Sequence, residues 1–322
     1  MVFFHNQHLI KMTAVCHIGT MNSNAPMQVF DRTAVAHHRN RAANGLAEHD
    51  FLFMEAADRL CDRLDDVKRK FETALDLGCH GGEVAKNLGS RGGIKNLIQT
   101  DISPKMVALA EKTGHKAMVA DEENLPFNDA TFDLVLSNLS LHWVNDLPGA
   151  LIQIRKSLKP DGLMLASVFA ERTLWELRES FMAAEIEVEG GISPRVSPFA
   201  TVQDLGSLLG RAGFVLPVLD TDTITVSYPD AFKLMADLRG MGENGAVVGR
   251  RKTFTREDTI LRAASYYQEK FADNDGRIPA TFDIVTMTAW SPGPNQPQPL
   301  KPGSGEVNLS LVLEPKTEEE AK

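Results

Sequence analysis

The chain has 322 residues, 43% hydrophobic and 24% charged, which is the composition of an ordinary soluble globular protein. Its formal net charge of −9 argues against non-specific binding to nucleic acid, and no apolar run reaches the roughly 18 residues that a membrane span needs. The three cysteines are widely spaced and form no CxxC pair. They predict neither a disulfide framework nor a metal site and are typical of a reducing cytosol.

The two ends of the chain differ in composition from its middle. We expect residues 1–28 to form a disordered leader, because they lack both the Arg-rich pattern of a transit peptide and the apolar core of a signal peptide. Residues 29–70 indicate an N-terminal helical arm or lid, whose basic first half fits an exposed helix or a partner-binding arm. Residues 291–322 are rich in Pro and Gly and end in acidic residues, so we expect a flexible tail.

Strands and helices alternate in the first half of the domain that we place at residues 71–290. The predicted strands cover 74–77, 96–100, 116–120, 132–137 and 163–169, and helices lie between them at 83–88, 103–112 and 147–158. Alternation at this spacing predicts an α/β fold with a parallel, doubly wound sheet. Two later strands, at 214–227 and 281–290, are separated by predicted substrate-side helical insertions at 171–213 and 229–275.

The stretch from Ala74 to Gly82 organises this pattern. Asp76 lies in an apolar strand that runs into a turn with Gly78 and Gly82 and then into a helix start. Glycines let a backbone approach a ligand, and the helix start presents free N–H groups. The acid precedes the glycines, whereas in a dinucleotide fingerprint it follows them by about 20 residues. His80 stands where a glycine is easier to explain, so its imidazole points away from a ligand, touches it or blocks it.

Polar residues stand at three further strand ends, namely Asp101-Ile102, Asp121-Glu122 and Ser137-Asn138. In such sheets a ligand binds at the carboxyl edge of the strands. A carboxylate there can accept both hydroxyls of a ribose, and the next strand end can contact an adenine edge. Acids in these positions also cap helices. Because three strand ends in sequence order carry an acid and one carries the glycine turn, we favour a nucleotide-like ligand.

These motifs, in this order, resemble those of class I S-adenosylmethionine-dependent methyltransferases over residues 70–170. The resemblance implies a Rossmann-like, seven-stranded sheet with helices on both faces and a helical insertion after the fifth strand, with S-adenosyl-L-methionine as cofactor. It assigns the methionine part to Gly78, the ribose to Asp101 and the adenine to Asp121. We add their neighbours Asp76, His80, Gly82, Ile102, Glu122 and Ser137 to the candidate cofactor site. The resemblance is carried by 75–79, Asp101, Asp121, 125–127, 132–135 and 158–162.

Residues 137–148 resemble two subgroups of this family, the malonyl carrier-protein methyltransferases of biotin synthesis and the methyltransferase-like assembly factors of respiratory complex I. The stretches 189–199, 204–214, 238–243 and 275–281 extend the likeness to the assembly factor five subgroup over residues 29–290. Its mitochondrial members are associated with hydroxylating an arginine on a quinone-site subunit. Because no mitochondrial leader is evident, we expect a cytoplasmic, bacterial relative.

Four residues outside the cofactor site are candidates for chemistry or substrate binding. His142 suits a general base at neutral pH, although it could instead pack with Trp143 as a lid over the cofactor. Asn138 could orient a substrate or cap a turn. Trp143 and Arg195 are candidate substrate contacts, since an arginine can hold a carboxylate with two hydrogen bonds.

The resemblance implies an enzyme that modifies a protein side chain, an arginine of a quinone-site complex I subunit, by methylation or hydroxylation. Two alternatives remain open at this stage. One is a malonyl carrier-protein O-methyltransferase, and the other is a non-catalytic assembly chaperone that uses the cofactor fold as a binding platform. The expected partner is a complex I subunit, with no nucleic acid, and any membrane association would arise only through that partner.

Overall fold

The computed structural model describes residues 28–294, Gln296 and Gly303. Residues 1–27 of the predicted leader, and nearly all of the predicted tail, lie outside the described residues. The strands are β1 (Thr73–Leu77), β2 (Asn96–Asp101), β3 (Lys116–Val119), β4 (Phe132–Asn138), β5 (Leu158–Phe169), β6 (Val215–Tyr228) and β7 (Ile278–Trp290).

These strands form one seven-stranded sheet in the order β3-β2-β1-β4-β5-β7-β6. Strands β1 to β5 are parallel, as predicted, and β7 runs antiparallel between β5 and β6. β1 and β4 are almost wholly buried because helices cover both faces, whereas edge strand β6 alternates between half-buried and exposed positions. The predicted α/β class and seven-stranded sheet are confirmed.

β5 begins earlier than its hydrophobic pattern predicts. Leu158, which we predicted as the last residue of a helix, and residues 159–162, which lie between that helix and the predicted strand, belong to it. The pairing with β4 shifts between Phe132 and Leu134, so a bulge absorbs the extra residues there. β5 starts before the predicted residue because Pro160 and Gly162 are accommodated at the bulge and do not end the strand.

Nine α-helices occur in the described part of the chain. Local signals set several of their starts: Asp31 accepts a hydrogen bond from the backbone N–H of Ala34, and Ser103 from that of Met106 just before a proline. The helices are α1 (Arg32–Ala42), α2 (Phe51–Asp62), α3 (Glu83–Leu88), α4 (Pro104–Ala110), α5 (Leu147–Ser157), α6 (Trp175–Glu189), α7 (Val202–Arg211), α8 (Ala231–Met241) and α9 (Glu257–Phe271).

The helices pack in three groups. α5 and α7 cover one face of the sheet. α2 and α3 bury apolar residues against β1, β4 and β5. α6, α8 and α9 form a layer against β7, and α1 packs on α4 and α8. No helix in the described part of the chain is long and apolar enough to cross a membrane.

Candidate functional site

Three carboxylates gather at the carboxyl ends of β2 and β3, and we call Asp101, Asp121 and Glu122 the acid edge. Asp101 is fully buried; its Oδ1 accepts from the backbone N–H of Ser103 at 2.7 Å, and its Oδ2 from that of His80 at 3.2 Å. Glu122 is also fully buried, whereas the Asp121 side chain is 36% exposed. The predicted cofactor acids are therefore brought together, and Glu122 lies deeper than the predicted adenine contact Asp121.

Two arginines from α1 lie on the acid edge. Arg39 is 1% exposed; its Nη1 donates to Asp101 Oδ2 at 2.9 Å and lies 3.4 Å from Glu122 Oε1. Its Nη2 donates to Ser140 Oγ at 2.9 Å. Arg32 donates to Asp121 Oδ1 at 2.6 Å and also pairs with Glu122. Because the carboxylates are buried, these ion pairs supply the countercharge that burial demands.

The two buried acids respond differently to this environment. Burial raises the pKa of Glu122, but the nearby guanidinium groups of Arg32 and Arg39 outweigh burial and lower that pKa to about 2. Burial raises the pKa of Asp101 above its ordinary value, although Arg39 opposes the rise. Glu122 is therefore ionised and paired with both arginines. Asp101 is the acid whose charged form depends more on hydrogen-bond donors, because burial raises its pKa.

The glycine turn is tightly closed beneath the acid edge. Gly78 has φ of +71°, and a Cβ built there would lie 2.0 Å from Ser140 Oγ, so both its conformation and its surroundings require glycine. Gly82, with φ of +83°, begins α3. Ile102 is half-buried beside Asp101. The turn therefore packs closely at Gly78, and the Ser140 side chain fills the space in which the sequence predicted a ligand.

His80 occupies the turn in a left-handed conformation, with φ of 48°. Its ring stacks on Phe53 with centroids 4.2 Å apart, and its Nε2 lies 3.1 Å from the carbonyl oxygen of Leu139, to which it can donate. Burial lowers the pKa of His80 to about 3, so the ring is neutral at physiological pH. Of the three orientations considered, the structure supports the first, because the imidazole packs into the core and only the backbone N–H reaches Asp101.

Asp76 is a buried carboxylate without a hydrogen-bond partner among the described residues. It is 0% exposed, and burial, with the nearby charges of Glu83 and Asp101, raises its pKa well above the ordinary value. A buried carboxyl that lacks a hydrogen-bond partner lowers the stability of the protein. Its position near the end of β1, just before the glycine turn, therefore indicates a ligand-binding role.

We expect replacement of Asp76 by Asn to stabilise the protein increasingly as pH rises. The unfolded carboxyl loses its proton near pH 3.8, while the buried one keeps it to higher pH, so this group lowers wild-type stability above pH 3.8. The gain should grow by up to about 1.4 kcal/mol per pH unit between the two pKa values. Denaturant titrations from pH 5 to 8 measure it. Parallel pH curves for wild type and Asp76→Asn would contradict the expectation, and the control Asp133→Asn should lose stability because its partners lower the pKa of Asp133.

Ser137 and Asn138 form hydrogen bonds within the fold, and those of Asn138 argue against its predicted role in orienting a substrate. Ser137 Oγ donates to the backbone oxygen of Leu77 at 2.8 Å. Asn138 Nδ2 donates to the backbone oxygen of Phe53, and its Oδ1 accepts from Ser167 Oγ, both at 2.9 Å. Both side chains are almost fully buried, and these bonds occupy the amide on both sides, so Asn138 does not orient a substrate.

A cavity of about 210 Å³ lies beyond the ends of β4 and β5, and we call it the aromatic pocket. Its walls are mainly apolar, with polar atoms supplied by a few side chains, a pattern typical of small-molecule or side-chain binding sites. It contains one acidic and one basic residue, Glu243 and Arg195. Its aromatic walls are Trp143, Phe169, Phe181, Phe199 and Phe282.

Glu243 forms the polar end of the aromatic pocket. Its carboxylate accepts from Trp143 Nε1 at 3.0 Å and lies 3.1 Å from His142 Nε2. Burial raises the pKa of Glu243, but His142 and Arg39 outweigh burial and hold it below the ordinary value. The other ring nitrogen of His142, Nδ1, has no hydrogen-bond partner among the described residues. This is the arrangement of a base oriented by a carboxylate.

Arg195 lies in the pocket wall, as predicted for a substrate contact, but its charge is already compensated. Its Nε donates to Glu185 Oε1 at 2.6 Å, and its Nη1 donates to Thr255 Oγ1 at 2.7 Å. Its guanidinium also lies over the Phe181 ring. It is therefore poorly placed to hold a substrate carboxylate.

The acid edge fits the cofactor that the family resemblance implies, in one respect. Acids stand on adjacent strand ends, and Asp76 has buried oxygens that lack a partner among the described residues. In another respect it does not fit, because Arg39 and Ser140 fill the space between Asp101, Glu122 and Gly78. Binding therefore requires α1 to move. Across residues 28–294, no three His, Cys, Asp or Glu side chains lie close enough together to hold a metal ion.

Sequence reasoning missed Arg32, Arg39 and Glu243 as functional residues. The basic composition of the first helix was the available signal for the two arginines. Glu243 ends the stretch 238–243, which carries the subgroup resemblance, but a lone glutamate after a helix has no local pattern. It is 101 residues away from His142 in sequence, so only the fold brings the pair together.

Comparison with known proteins supports the resemblance. A family model described as a methyltransferase domain matches residues 75–166. The mitochondrial arginine-hydroxylase NDUFAF5 of Danio rerio is 43% identical over 295 residues, which make up 90% of this chain and 91% of that protein. The malonyl-[acyl-carrier protein] O-methyltransferase of Halorhodospira halophila is 32% identical over 289 residues, covering 88% of this chain and 95% of the relative.

Solved structures match the fold at lower identity. The crystal structure of the YcgJ protein from Bacillus subtilis aligns with a TM-score of 0.51 and 14% identity, covering 73% of this chain and 98% of that one. A likeness at this identity concerns architecture alone. It agrees with the sheet order and helix layers described above.

Proposed function

Because this chain belongs to the NDUFAF5 family, whose members resemble class I methyltransferases, we propose that it is an enzyme that modifies an arginine side chain of a protein. In this proposal the cofactor is S-adenosyl-L-methionine. The substrate is a quinone-site subunit of respiratory complex I, as the subgroup resemblance implies. The enzyme acts in the bacterial cytoplasm and reaches the membrane only through that subunit.

The aromatic pocket is the observation that carries this proposal. Glu243 is buried there, and within the described residues it forms no ion pair with a lysine or an arginine. Arg195, the cationic residue of the lining, is paired with Glu185. When His142 is neutral, Glu243 is left with an uncompensated negative charge at the pocket, so the pocket suits a cation. Aromatic walls favour a planar guanidinium, through stacking and cation–π attraction, over a compact ammonium.

His142 lies against Glu243 of the pocket lining and supplies a group that can take a proton. Its Nε2 faces Glu243, which fixes the ring, and its buried Nδ1 remains without a partner among the described residues. A guanidinium must lose a proton when one of its nitrogens acts as a nucleophile, and a neutral histidine can accept it. Phe169 and Phe199 pack against the ring at centroid distances of 4.8 and 5.8 Å and exclude water.

The acid edge is the proposed cofactor site. Asp101 would hold the ribose hydroxyls, Asp121 and Glu122 the adenine, and the turn at Gly78, with Asp76, the methionine part. When bound, the cofactor supplies a methyl group on a sulfonium, which is a reactive donor, so the protein has chiefly to align the acceptor and exclude water. Arg39, which donates to Asp101, has to leave this space first.

The two alternative functions are less well supported. A malonyl carrier-protein methyltransferase has to hold a substrate carboxylate, and Glu243 repels one while Arg195 is occupied by Glu185. A non-catalytic chaperone has no need for a buried base oriented by a carboxylate. Modification of an arginine side chain is therefore the better-supported function.

Mass spectrometry of a modified peptide tests the proposal. The full chain is incubated with S-adenosyl-L-methionine and a peptide from the quinone-site subunit that contains the arginine. A gain of one methyl group supports methyl transfer, and a gain of one oxygen supports hydroxylation. An unmodified peptide, together with no heat of cofactor binding in calorimetry, would reject both enzymatic activities. A peptide with lysine in place of the arginine serves as the substrate control.

A further inference from the structure

The N-terminal segment of residues 29–42, which we call the arm, touches both halves of the candidate site. At one end its Arg39 lies on the acid edge, with 1% of the residue exposed. At the other end Arg32 Nη1 donates to the backbone oxygen of Trp143 at 3.3 Å. Phe30 packs edge-on against the Trp143 ring, with centroids 5.3 Å apart. One rigid helix therefore links the cofactor carboxylates to a wall of the aromatic pocket.

The start of the arm is fastened by hydrogen bonds that do not involve the acid edge. Asn145 Oδ1 accepts from the backbone N–H groups of Val29 and Phe30 at 2.8 and 2.7 Å. The backbone N–H of Asp31 donates to the carbonyl oxygen of Ala246 at 2.8 Å. Because residues 243–245 line the aromatic pocket, this attachment joins the arm to the substrate side.

The far end of the arm makes polar contacts over the acid edge, next to the buried Ala42, which packs in the apolar layer. Asn40 Oδ1 accepts from Ser103 Oγ at 2.8 Å and from the backbone N–H of Lys105 at 3.3 Å. Arg39 contributes its contacts with Asp101, Glu122 and Ser140. Polar contacts of this kind can be exchanged for those of a polar ligand.

We propose that the arm is a lid in which Arg39 and Arg32 occupy the cofactor's place on the acid edge, so that the cofactor binds only when the arm withdraws. This inference rests on the proposed function, since it concerns the same cofactor site. In the closed state Arg39 provides the donors to Asp101 that a ribose diol would provide. Its guanidinium also neutralises carboxylates that would otherwise repel one another when buried.

Coupling between the two sites follows from the shared helix. Because Phe30 and Arg32 contact Trp143, a movement of the arm at the acid edge reaches the wall of the aromatic pocket. A ligand that shifts the arm at one site therefore changes the affinity at the other, by the same free energy in both directions.

Calorimetry with S-adenosylhomocysteine tests the lid. The full chain is compared with Asn40→Ala, which loosens the arm without removing a charge, and with Arg39→Ala, which removes the competing group. Loss of the two hydrogen bonds that Asn40 accepts should tighten binding at least about fivefold in Asn40→Ala, and loss of the charged contacts should tighten it at least about tenfold in Arg39→Ala. Arg63→Ala, which breaks an ion pair with Asp220 elsewhere on the protein, is the matched control and should not change the affinity.

Amide hydrogen exchange supplies a second measurement that does not depend on the charge of Arg39. In the wild type, exchange across residues 32–42 should become faster when S-adenosylhomocysteine binds, the reverse of the protection that a ligand usually gives. Equal or weaker binding by both variants, with ordinary protection of the arm, would overturn the lid while leaving the proposed function intact. Absence of binding in the wild type and in both variants would overturn the lid and the cofactor part of the proposed function together.

Discussion

Replacing Glu243 by Gln is expected to abolish the proposed preference for an arginine side chain. The substitution keeps the size of the side chain and removes its charge, which is the acidic charge of the aromatic pocket. Loss of a buried charged contact to a bound cation costs about 2–5 kcal/mol, roughly 30-fold to several thousandfold in affinity. Turnover should fall further, because His142 loses the carboxylate that orients its ring.

The measurement compares two peptides that differ only at the modified position. One carries arginine and the other citrulline, its neutral isostere. Wild-type protein should bind the arginine peptide far more tightly, and Glu243→Gln should bind the two about equally. Glu179→Gln, which removes an exposed partner of Lys270, is the control and should keep the preference. A Glu243→Gln protein that still prefers arginine would show that the cation binds elsewhere, whereas a general loss of stability would weaken both peptides alike.

The sheet was predictable because its signals are local. β1 and β4 are runs of apolar residues, and a run buried on both faces can be recognised without knowing its neighbours. The glycine turn was predictable for the same reason, since the positive φ at Gly78 and Gly82 is a property of the chain at those positions. Because the predicted strands are parallel, their carboxyl ends lie at one edge of the sheet.

The occupants of the candidate site were not predictable in the same way. Arg39 is 62 residues from Asp101 in sequence, and no spacing rule links a helix in the N-terminal arm to the end of the second strand. Asn138 illustrates the opposite error. It stands at a strand end among candidate ligands, yet the fold uses its amide to join Phe53 to Ser167. Side-chain type predicts that a polar partner exists, and only the tertiary structure decides which partner it is.

The remaining large effect is expected for Asp101→Ala, which should weaken S-adenosylhomocysteine binding by at least about 100-fold. Asp101 is the acid edge residue whose two oxygens accept hydrogen bonds from backbone N–H groups and from an arginine. It can therefore accept both ribose hydroxyls when Arg39 withdraws, and two such bonds are worth about 3 kcal/mol or more.

Combining Asp101→Ala with Arg39→Ala completes a double-mutant cycle. Removing Arg39 should tighten binding when Asp101 is present and have almost no effect when Asp101 is absent. The reason is that Arg39 and the ligand compete for the Asp101 carboxylate. Circular dichroism checks that each variant folds, and Asp133→Ala, which loses a Lys159 pair far from the acid edge, is the control. Undiminished affinity in a folded Asp101→Ala protein would place the ribose on another residue, and additive effects in the cycle would separate Arg39 from the cofactor site.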